Sequence, residues 1–220
     1  MILKITLVLC LIAFCSLAIC AQATVDRDDN QSWNDVQLTV PMTKEFDFFL
    51  SGTLRFGKNI TRVNETRVGV GFVFKPTKDL SFSSSYVNIT ARNSHGLFRR
   101  ENRLVFYARY HFPIKAFGLS HRSQFEWRIR SPRSSWRYRP SLTFEKEIPK
   151  KFIPGAKFYV TEEVFYDSAL DRFSRNRLTV GVTKTLNKKL SLDVYYLRQN
   201  DAFSIPGDLN VIGTTWKIKL

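Results

Sequence analysis

Runs of about ten residues, in which apolar and polar side chains alternate, recur along most of the chain. One run reads RVGVGFVF from Arg67, and another reads LVFYARYHF from Leu104. Because successive side chains of a β-strand point to opposite faces, each run presents one apolar face and one mostly polar face. No stretch with a convincing helical period accompanies them, so the pattern predicts an all-β protein.

We assign eleven strands from this alternation. They span residues 33–40, 46–56, 66–75, 80–89, 103–112, 119–130, 136–147, 157–166, 177–185, 190–199 and 209–220, and the run at 157–166 is the least regular. A strand that crosses a membrane needs about 9–11 residues, whereas strands of soluble proteins average about 5–6. The length of most runs therefore favours a barrel that spans a membrane.

The predicted connections differ in length. The short turns are Pro41–Glu45, Pro76–Asp79, Pro113–Gly118 and Leu186–Lys189. The longer polar loops are Gly57–Glu65, Thr90–Asn102, Asp167–Asn176 and Asn200–Asp208. Short turns at one end and long loops at the other are typical of outer-membrane barrels, with the long loops outside. We therefore predict a transmembrane antiparallel up-and-down β-barrel of about 10–12 strands.

An odd number of strands would place the start of the first strand and the end of the last on opposite sides of the membrane. Single-chain bacterial barrels have an even number of strands. We therefore expect the count of eleven to be wrong by one. Either a strand is missing from the polar stretch before Trp33, or the strand at Trp33 does not join the wall.

The barrel is expected to be closed, because an open sheet leaves edge groups that lipid cannot hydrate. No amphipathic helix is available to cover the apolar face of the strands. The alternative is a soluble, lipocalin-like ligand-binding barrel, in which the apolar faces point inward.

Residues 1–23 have the order of a secretory signal peptide. Lys4 gives a positive start, and a nearly unbroken apolar run extends from Ile5 to Ile19. Small residues follow in the sequence AQA, where a signal peptidase would cleave. We therefore expect a single domain at residues 24–220.

All three cysteines, Cys10, Cys15 and Cys20, lie in this leader. Disulfides, thiol catalysis and cysteine-based zinc sites are therefore excluded for the mature chain. The alternative is a lipoprotein acylated at Cys20, although Ile19 is bulky for the position before such a cysteine.

The chain is strongly basic, with 34 Lys and Arg against 19 Asp and Glu. Such an excess often indicates a polyanionic partner. An exported protein rarely meets nucleic acid, so membrane lipids and lipopolysaccharide phosphates are the expected partners. The alternative is that much of the charge lies in solvated turns.

Several motifs resemble a known bacterial family. They are the stretch LSHRSQFEWRIRSPRSSWRYRPSLTFEKEIP from Leu119, TEEVFYD from Thr161, and RNRLTVGVTKTLNKKLSLDVYYLRQN from Arg175. This pattern resembles an uncharacterised family of outer-membrane-type barrels that is catalogued as a domain of unknown function. The resemblance covers most of residues 31–220. It implies an outer-membrane barrel and no known activity.

The clearest candidate site is a charged cluster on the faces opposite the apolar ones. Arginine facing lipid at the bilayer midplane costs about 2–4 kcal/mol in a barrel, so these side chains should line the lumen. The cluster comprises Arg103, Arg109, Arg122, Glu126, Arg128, Arg137, Arg139 and Glu145. It predicts either an anion-attracting passage or binding site, or an Arg–Glu network that fills a narrow barrel. Because its two glutamates are too few to neutralise the arginines, we expect a positive surplus.

A second candidate is the pair His121 and Ser123, which resembles the His-x-Ser pair of outer-membrane lipid A deacylases. A histidine can activate a serine hydroxyl at hydrogen-bond distance. However, Glu126 is predicted on the opposite face, and His121 follows a short turn, on the side away from lipid A.

We therefore expect an outer-membrane barrel with a structural or binding role, or one that gives narrow passage to anions. We expect no enzymatic activity, no cofactor, no metal site and no nucleic-acid partner. The alternatives are a lipid-modifying enzyme of the deacylase kind and a soluble ligand-binding barrel.

Overall fold

The computed structural model describes residues 28–93 and 96–220, which form a closed barrel of eleven β-strands. The strands are β1 (Asp28–Pro41), β2 (Phe46–Gly57), β3 (Arg62–Phe74), β4 (Leu80–Arg92), β5 (Phe98–Phe112), β6 (Gly118–Ile129), β7 (Ser135–Glu147), β8 (Ala156–Asp167), β9 (Arg172–Thr185), β10 (Leu190–Asp201) and β11 (Asp208–Lys219). The predicted all-β barrel is confirmed. The predicted signal peptide lies outside the described residues.

Each strand pairs antiparallel with the next one along the chain, and one parallel seam closes the ring. In this seam β1 runs beside β11, from Asp28 opposite Asp208 to Thr39 opposite Lys219. The expectation that the count of eleven is wrong by one is itself wrong, because the strand that contains Trp33 joins the wall. With an odd number of strands, the first and the last run in the same direction, so closure must be parallel.

Apolar side chains cover the outside of the barrel, and polar ones fill the inside. Val68 and Ile212 point outward and are 67% and 62% exposed. Gln199 points inward and is only 2% exposed. The small apolar cluster inside is formed by Trp33, Leu197, Leu209 and Val211 at the seam. This distribution is the reverse of that in a soluble barrel, whose apolar faces point inward.

We call the end with the connections after odd-numbered strands the turn end, and the other the loop end. At the turn end, residues 42–45, 75–79, 113–117, 148–155 and 186–189 join the strands; at the loop end, residues 58–61, 93–97, 130–134, 168–171 and 202–207 do so. The predicted difference in length is wrong, since connections at both ends have four to eight residues. The polar segments predicted as long loops continue the strands, because their charged and amide side chains pair across neighbouring strands.

Aromatic rings form a girdle on the outer surface near each end. At the turn end, Phe46 stacks on Phe72 with ring centroids 5.2 Å apart. Two further outer contacts near this end join Tyr110 to Phe112 and Phe117 to Phe144. At the loop end, contacts at 5.3–5.7 Å link four outer rings in a row. These rings belong to Phe125, Trp136, Tyr166 and Phe173.

Glycines in the wall leave room for inward-pointing rings. A Cβ atom on Gly213 would lie 2.0 Å from the Tyr195 ring, and one on Gly71 would lie 2.8 Å from Phe49. The rings can therefore lie across the inner wall. Small residues at these inward positions agree with the RVGVGFVF pattern.

Within residues 28–93 and 96–220, no helix is long and apolar enough to cross a membrane.

Candidate functional site

Strand alternation brings six of the eight predicted cluster residues together inside the barrel. They are Arg103 on β5, Arg122, Glu126 and Arg128 on β6, and Arg137 and Arg139 on β7. The register explains the convergence, since Arg103 pairs with Arg128 across β5 and β6, and Glu126 pairs with Arg137 across β6 and β7. All six side chains therefore point into one part of the lumen.

Glu126 lies at the centre of this cluster and is almost completely buried. It forms ion pairs with Arg139 and with Arg103, whose Nη1 lies 3.4 Å from Glu126 Oε2. The amide Nε2 of Gln124 donates to Glu126 Oε1 at 2.8 Å. One buried carboxylate therefore holds arginines from β5 and β7 against β6.

Three carboxylates that were not predicted from the sequence complete the network. Arg128 donates to both oxygens of Glu101, at 2.9 and 2.8 Å. The Nη2 atom of Arg139 donates to Glu163 at 2.8 Å, and Nε of Arg137 donates to Asp167 at 2.6 Å. Glu101 and Asp167 belong to segments predicted as loops, and Glu163 to the least regular run. The available signal was weak, because Glu101 lies between Arg100 and Asn102, and Glu163 and Asp167 each have one polar neighbour.

The other two predicted residues lie apart from this network. Arg109 faces Tyr107, with its guanidinium carbon 5.5 Å from the ring centroid, towards the turn end of β5. Glu145 lies beside Gly118 near the turn end of β7. Within the described part of the chain, neither forms an ion pair with the network. Both residues occupy inward positions on their strands, as predicted, but at a height nearer the turn end, so their place in one functional cluster stays a prediction.

Two aromatic rings carry arginines on their faces next to this network. The guanidinium carbon of Arg55 lies 3.5 Å from the ring centroid of Trp33. Arg139 and Arg177 lie 4.4 and 4.7 Å from the ring centroid of Phe165. Guanidinium groups stack favourably on aromatic faces, and such contacts gain strength where water is excluded. Trp33 and Phe165 therefore hold several arginines in fixed positions.

These groups surround a cavity of about 490 Å³ at the loop end of the lumen. Its charged lining consists of Arg55, Lys58, Arg62, Glu65, Arg67, Arg92, Arg103, Arg128, Arg137, Arg139, Arg175 and Arg177. The carboxylates of Glu126, Glu163 and Asp167 pair with these arginines but do not line the cavity. Eleven cationic side chains and one carboxylate therefore face the cavity, which suits anionic groups.

The lumen has a different character towards the turn end, where carboxylates are bound mainly by hydroxyl groups. Tyr159 and Thr183 each donate to Asp193 at 3.1 Å. Thr53 donates to Asp35 at 2.5 Å. The ammonium group of Lys217 lies 3.8 Å from Asp193. Charge in the lumen is therefore divided along the barrel: most of the arginines line the loop end, and the hydroxyl-bound carboxylates lie below them together with Arg109 and Arg122.

The pair His121 and Ser123 lies on the outer face of β6. His121 Nε2 is 3.0 Å from Ser123 Oγ, which is also 3.0 Å from the hydroxyl of Tyr138. Glu126 points into the lumen, on the other face of the same strand. Among the described residues, no carboxylate hydrogen-bonds His121 to orient its ring.

No group of three or more His, Cys, Asp or Glu side chains within the described ranges is arranged to hold a metal ion. His95 lies outside those ranges. The expectation of no metal site stays a prediction.

A structure search finds similarity to an anion-selective porin from Comamonas acidovorans. The two chains share 13% sequence identity with a TM-score of 0.42, and the match covers 80% of this chain and 54% of the porin. This chain therefore spans about half the length of that porin. No curated protein matches the sequence.

A family model described as "Protein of unknown function (DUF2490)" matches residues 30–210, which is most of the chain. The matched residues include the strand motifs that resemble a family of unknown function. The chain belongs to the DUF2490 family of proteins of unknown function.

Proposed function

We propose that the protein is an outer-membrane β-barrel that binds small anions in the arginine-lined cavity at its loop end. The outer surface supports the membrane location. An apolar face lies between two aromatic girdles, and the strands have 12 to 15 residues. Such a surface is suited to a bilayer, where aromatic side chains concentrate at both interfaces.

The observation that carries the binding proposal is the composition of the cavity wall, in which Glu65 is the single carboxylate among eleven cationic side chains. Arginine offers several N–H donors in a planar fork that matches the oxygens of a phosphate or carboxylate. The carboxylates paired with these arginines lie behind them and fix the donors before a ligand arrives. Preorganised donors of this kind bind anions without the cost of ordering flexible side chains.

The division of charge along the lumen favours binding over passage. An anion that left the cavity towards the turn end would approach Asp35 and Asp193, which accept hydrogen bonds from hydroxyl groups. Conduction requires a path that an ion can leave as well as enter. The lower carboxylates oppose this exit for an anion.

Titration of the folded protein in detergent with inorganic pyrophosphate, followed by calorimetry at low salt, tests this proposal. Lys58→Gln/Arg62→Gln removes two cavity cations that form no ion pair with a described residue. Affinity should fall about tenfold or more, since hydrogen bonds to charged groups contribute roughly 1.5–3 kcal/mol each.

The matched control is Arg109→Gln/Lys219→Gln, which removes the same charge away from the cavity. It should retain the affinity of the parent. Folded parent protein that shows no saturable heat with pyrophosphate contradicts the proposal. Equal weakening in both variants would indicate attraction by net charge rather than a defined site.

A lipid-modifying enzyme is a second candidate, favoured by the 3.0 Å contact between His121 and Ser123 on the outer face. The pair lacks an orienting carboxylate among the described residues, and such a partner usually fixes the base of a catalytic triad. We expect no fatty acid release from lipid A by purified protein. Release that disappears in Ser123→Ala would favour the enzyme.

A further inference from the structure

Most of the lysines and most of the arginines occupy opposite ends of the barrel. Of the fourteen lysines in the described residues, Lys58 alone lies at the loop end. The other thirteen lie at the turn end, and we call them the lysine collar. The collar comprises Lys44, Lys75, Lys78, Lys115, Lys146, Lys150, Lys151, Lys157, Lys184, Lys188, Lys189, Lys217 and Lys219.

The collar carries a large positive excess. Its segments are residues 42–47, 73–81, 111–118, 145–157, 184–191 and 217–220, which contain five Asp or Glu and no Arg. Eleven of the thirteen lysines are exposed. Three form ion pairs with described carboxylates: Lys75 with Asp47, Lys157 with Glu147, and Lys217 with Asp193. Most of the collar charge is therefore available to a partner outside the barrel.

The position of the collar relative to the aromatic girdle indicates the depth at which that partner lies. The rings of Phe46, Tyr110 and Phe144 belong to the girdle at the turn end, and the collar continues beyond them onto the turns. Aromatic rings concentrate at the boundary between hydrocarbon and headgroups, and lysine side chains extend from that boundary towards the headgroups. The collar therefore lies at headgroup depth.

The use of lysine rather than arginine is consistent with a lipid surface. Arginine suits fixed, bidentate pairing, as in the lumen network of this protein, whereas lysine is a flexible and strongly hydrated point charge. A headgroup layer is mobile and presents phosphates in many positions. Basic side chains next to a membrane attract anionic lipids through this kind of charge contact.

We propose that the lysine collar binds the headgroups of anionic phospholipids in the leaflet at the turn end and enriches these lipids around the barrel. This inference rests on the membrane location in the proposed function, but not on anion binding in the lumen. The partner is the lipid surface itself, and its phosphates are the groups that the ammonium ions contact.

Spin-labelled lipids test the collar directly. Folded protein in phosphatidylcholine vesicles receives trace spin-labelled phosphatidylglycerol or phosphatidylcholine, and electron paramagnetic resonance gives the fraction of each that is immobilised at the protein. Phosphatidylglycerol should be enriched about twofold or more, since each basic residue near an anionic surface adds to the attraction. The preference should decrease at 1 M salt, where charge interactions are screened within about 3 Å.

A quadruple variant and a matched control separate the collar from net charge. Changing Lys150, Lys151, Lys188 and Lys189 to Gln removes four exposed turn-end charges and should reduce the preference at least by half. The control changes Arg99, Arg100, Arg133 and Arg172 to Gln, removes four exposed charges at the loop end, and should retain more of the preference. Heat-modifiable migration on gels verifies that each variant is folded.

Three results would overturn the inference. The first is an equal affinity of the parent for both labelled lipids, and the second is an equal loss in the variant and the control. The third is displacement of the labelled lipid by a soluble oligonucleotide whose phosphate concentration equals that of the labelled lipid. That result would favour a soluble polyanion as the partner of the collar. Protein that does not float with vesicles contradicts the membrane location as well, whereas protein that floats without a lipid preference contradicts the collar alone.

Discussion

At the scale of single residues, the lumen depends on buried carboxylates that each hold more than one arginine. Glu126 pairs with Arg103 and Arg139, and Glu163 pairs with Arg122 and Arg139. Removing one partner of a buried ion pair leaves an uncompensated charge, which costs more than the pair itself contributes. The carboxylates therefore matter for stability even though they do not line the cavity.

We predict that Glu126→Gln destabilises the folded barrel by about 3–5 kcal/mol, because two buried arginines lose a carboxylate partner. The measurement is urea-induced unfolding of the reconstituted protein. Glu145→Gln is the control, because Glu145 lies apart from the network. This substitution should change the free energy of unfolding by less than about 1 kcal/mol. Similar stability of both variants would show that the ion-pair network contributes little.

At the scale of strands, the alternation of side chains predicted the elements well and their ends poorly. All eleven predicted strands are present, but β1, β5 and β9 begin five residues earlier than predicted. The extensions are polar apart from Phe98 and Phe173, so hydrophobic alternation does not reveal them. Cross-strand partners hold them instead, as when Arg175 Nε donates to Asp201 at 2.7 Å.

The parallel seam could not be predicted from local sequence. Its two strands are separated by almost the whole chain, and nothing in either strand specifies the direction of its neighbour.

The ion pairs of the site could not be predicted from local sequence either. The pairs that join Glu126, Glu163 and Asp167 to arginines depend on register across several strands. Sequence alternation predicted which arginines face inward, but not which carboxylates reach them.

The outward face of a strand gives the second prediction. Val70 points outward between Leu50 and Tyr86 on the neighbouring strands. Val70→Arg should reduce the free energy of folding into a bilayer by about 2–4 kcal/mol, because the charge would face hydrocarbon. Thr53→Arg is the comparison, since Thr53 faces the lumen beside Asp35 and a new cation there can pair with that carboxylate. Equal losses in the two variants would show that the faces are assigned wrongly.

At the scale of the whole molecule, three features are arranged along one axis. Arginines line the loop end of the lumen, hydroxyl-bound carboxylates follow below them, and the lysine collar surrounds the turn end. The net charge of +15 indicated an anionic partner, but composition alone did not reveal that lysine and arginine are separated. This separation follows from their chemistry, because fixed pairing in a lumen favours arginine and a solvated rim tolerates lysine.

The location of the molecule is the third prediction. The protein should fractionate with outer membranes and migrate differently on gels with and without heating, because folded barrels resist unfolding by detergent at low temperature. Recovery as a soluble periplasmic protein without detergent would contradict the membrane location and favour the soluble ligand-binding barrel.

The most direct test of the central claim is a crystal structure of the folded protein soaked with tungstate, whose anomalous scattering locates the anion. We predict tungstate in the loop-end cavity, with its oxygens within hydrogen-bond distance of at least two of Arg62, Arg67 and Arg92. A cavity without the anion, at a concentration that saturates the protein in solution, would contradict anion binding in the lumen.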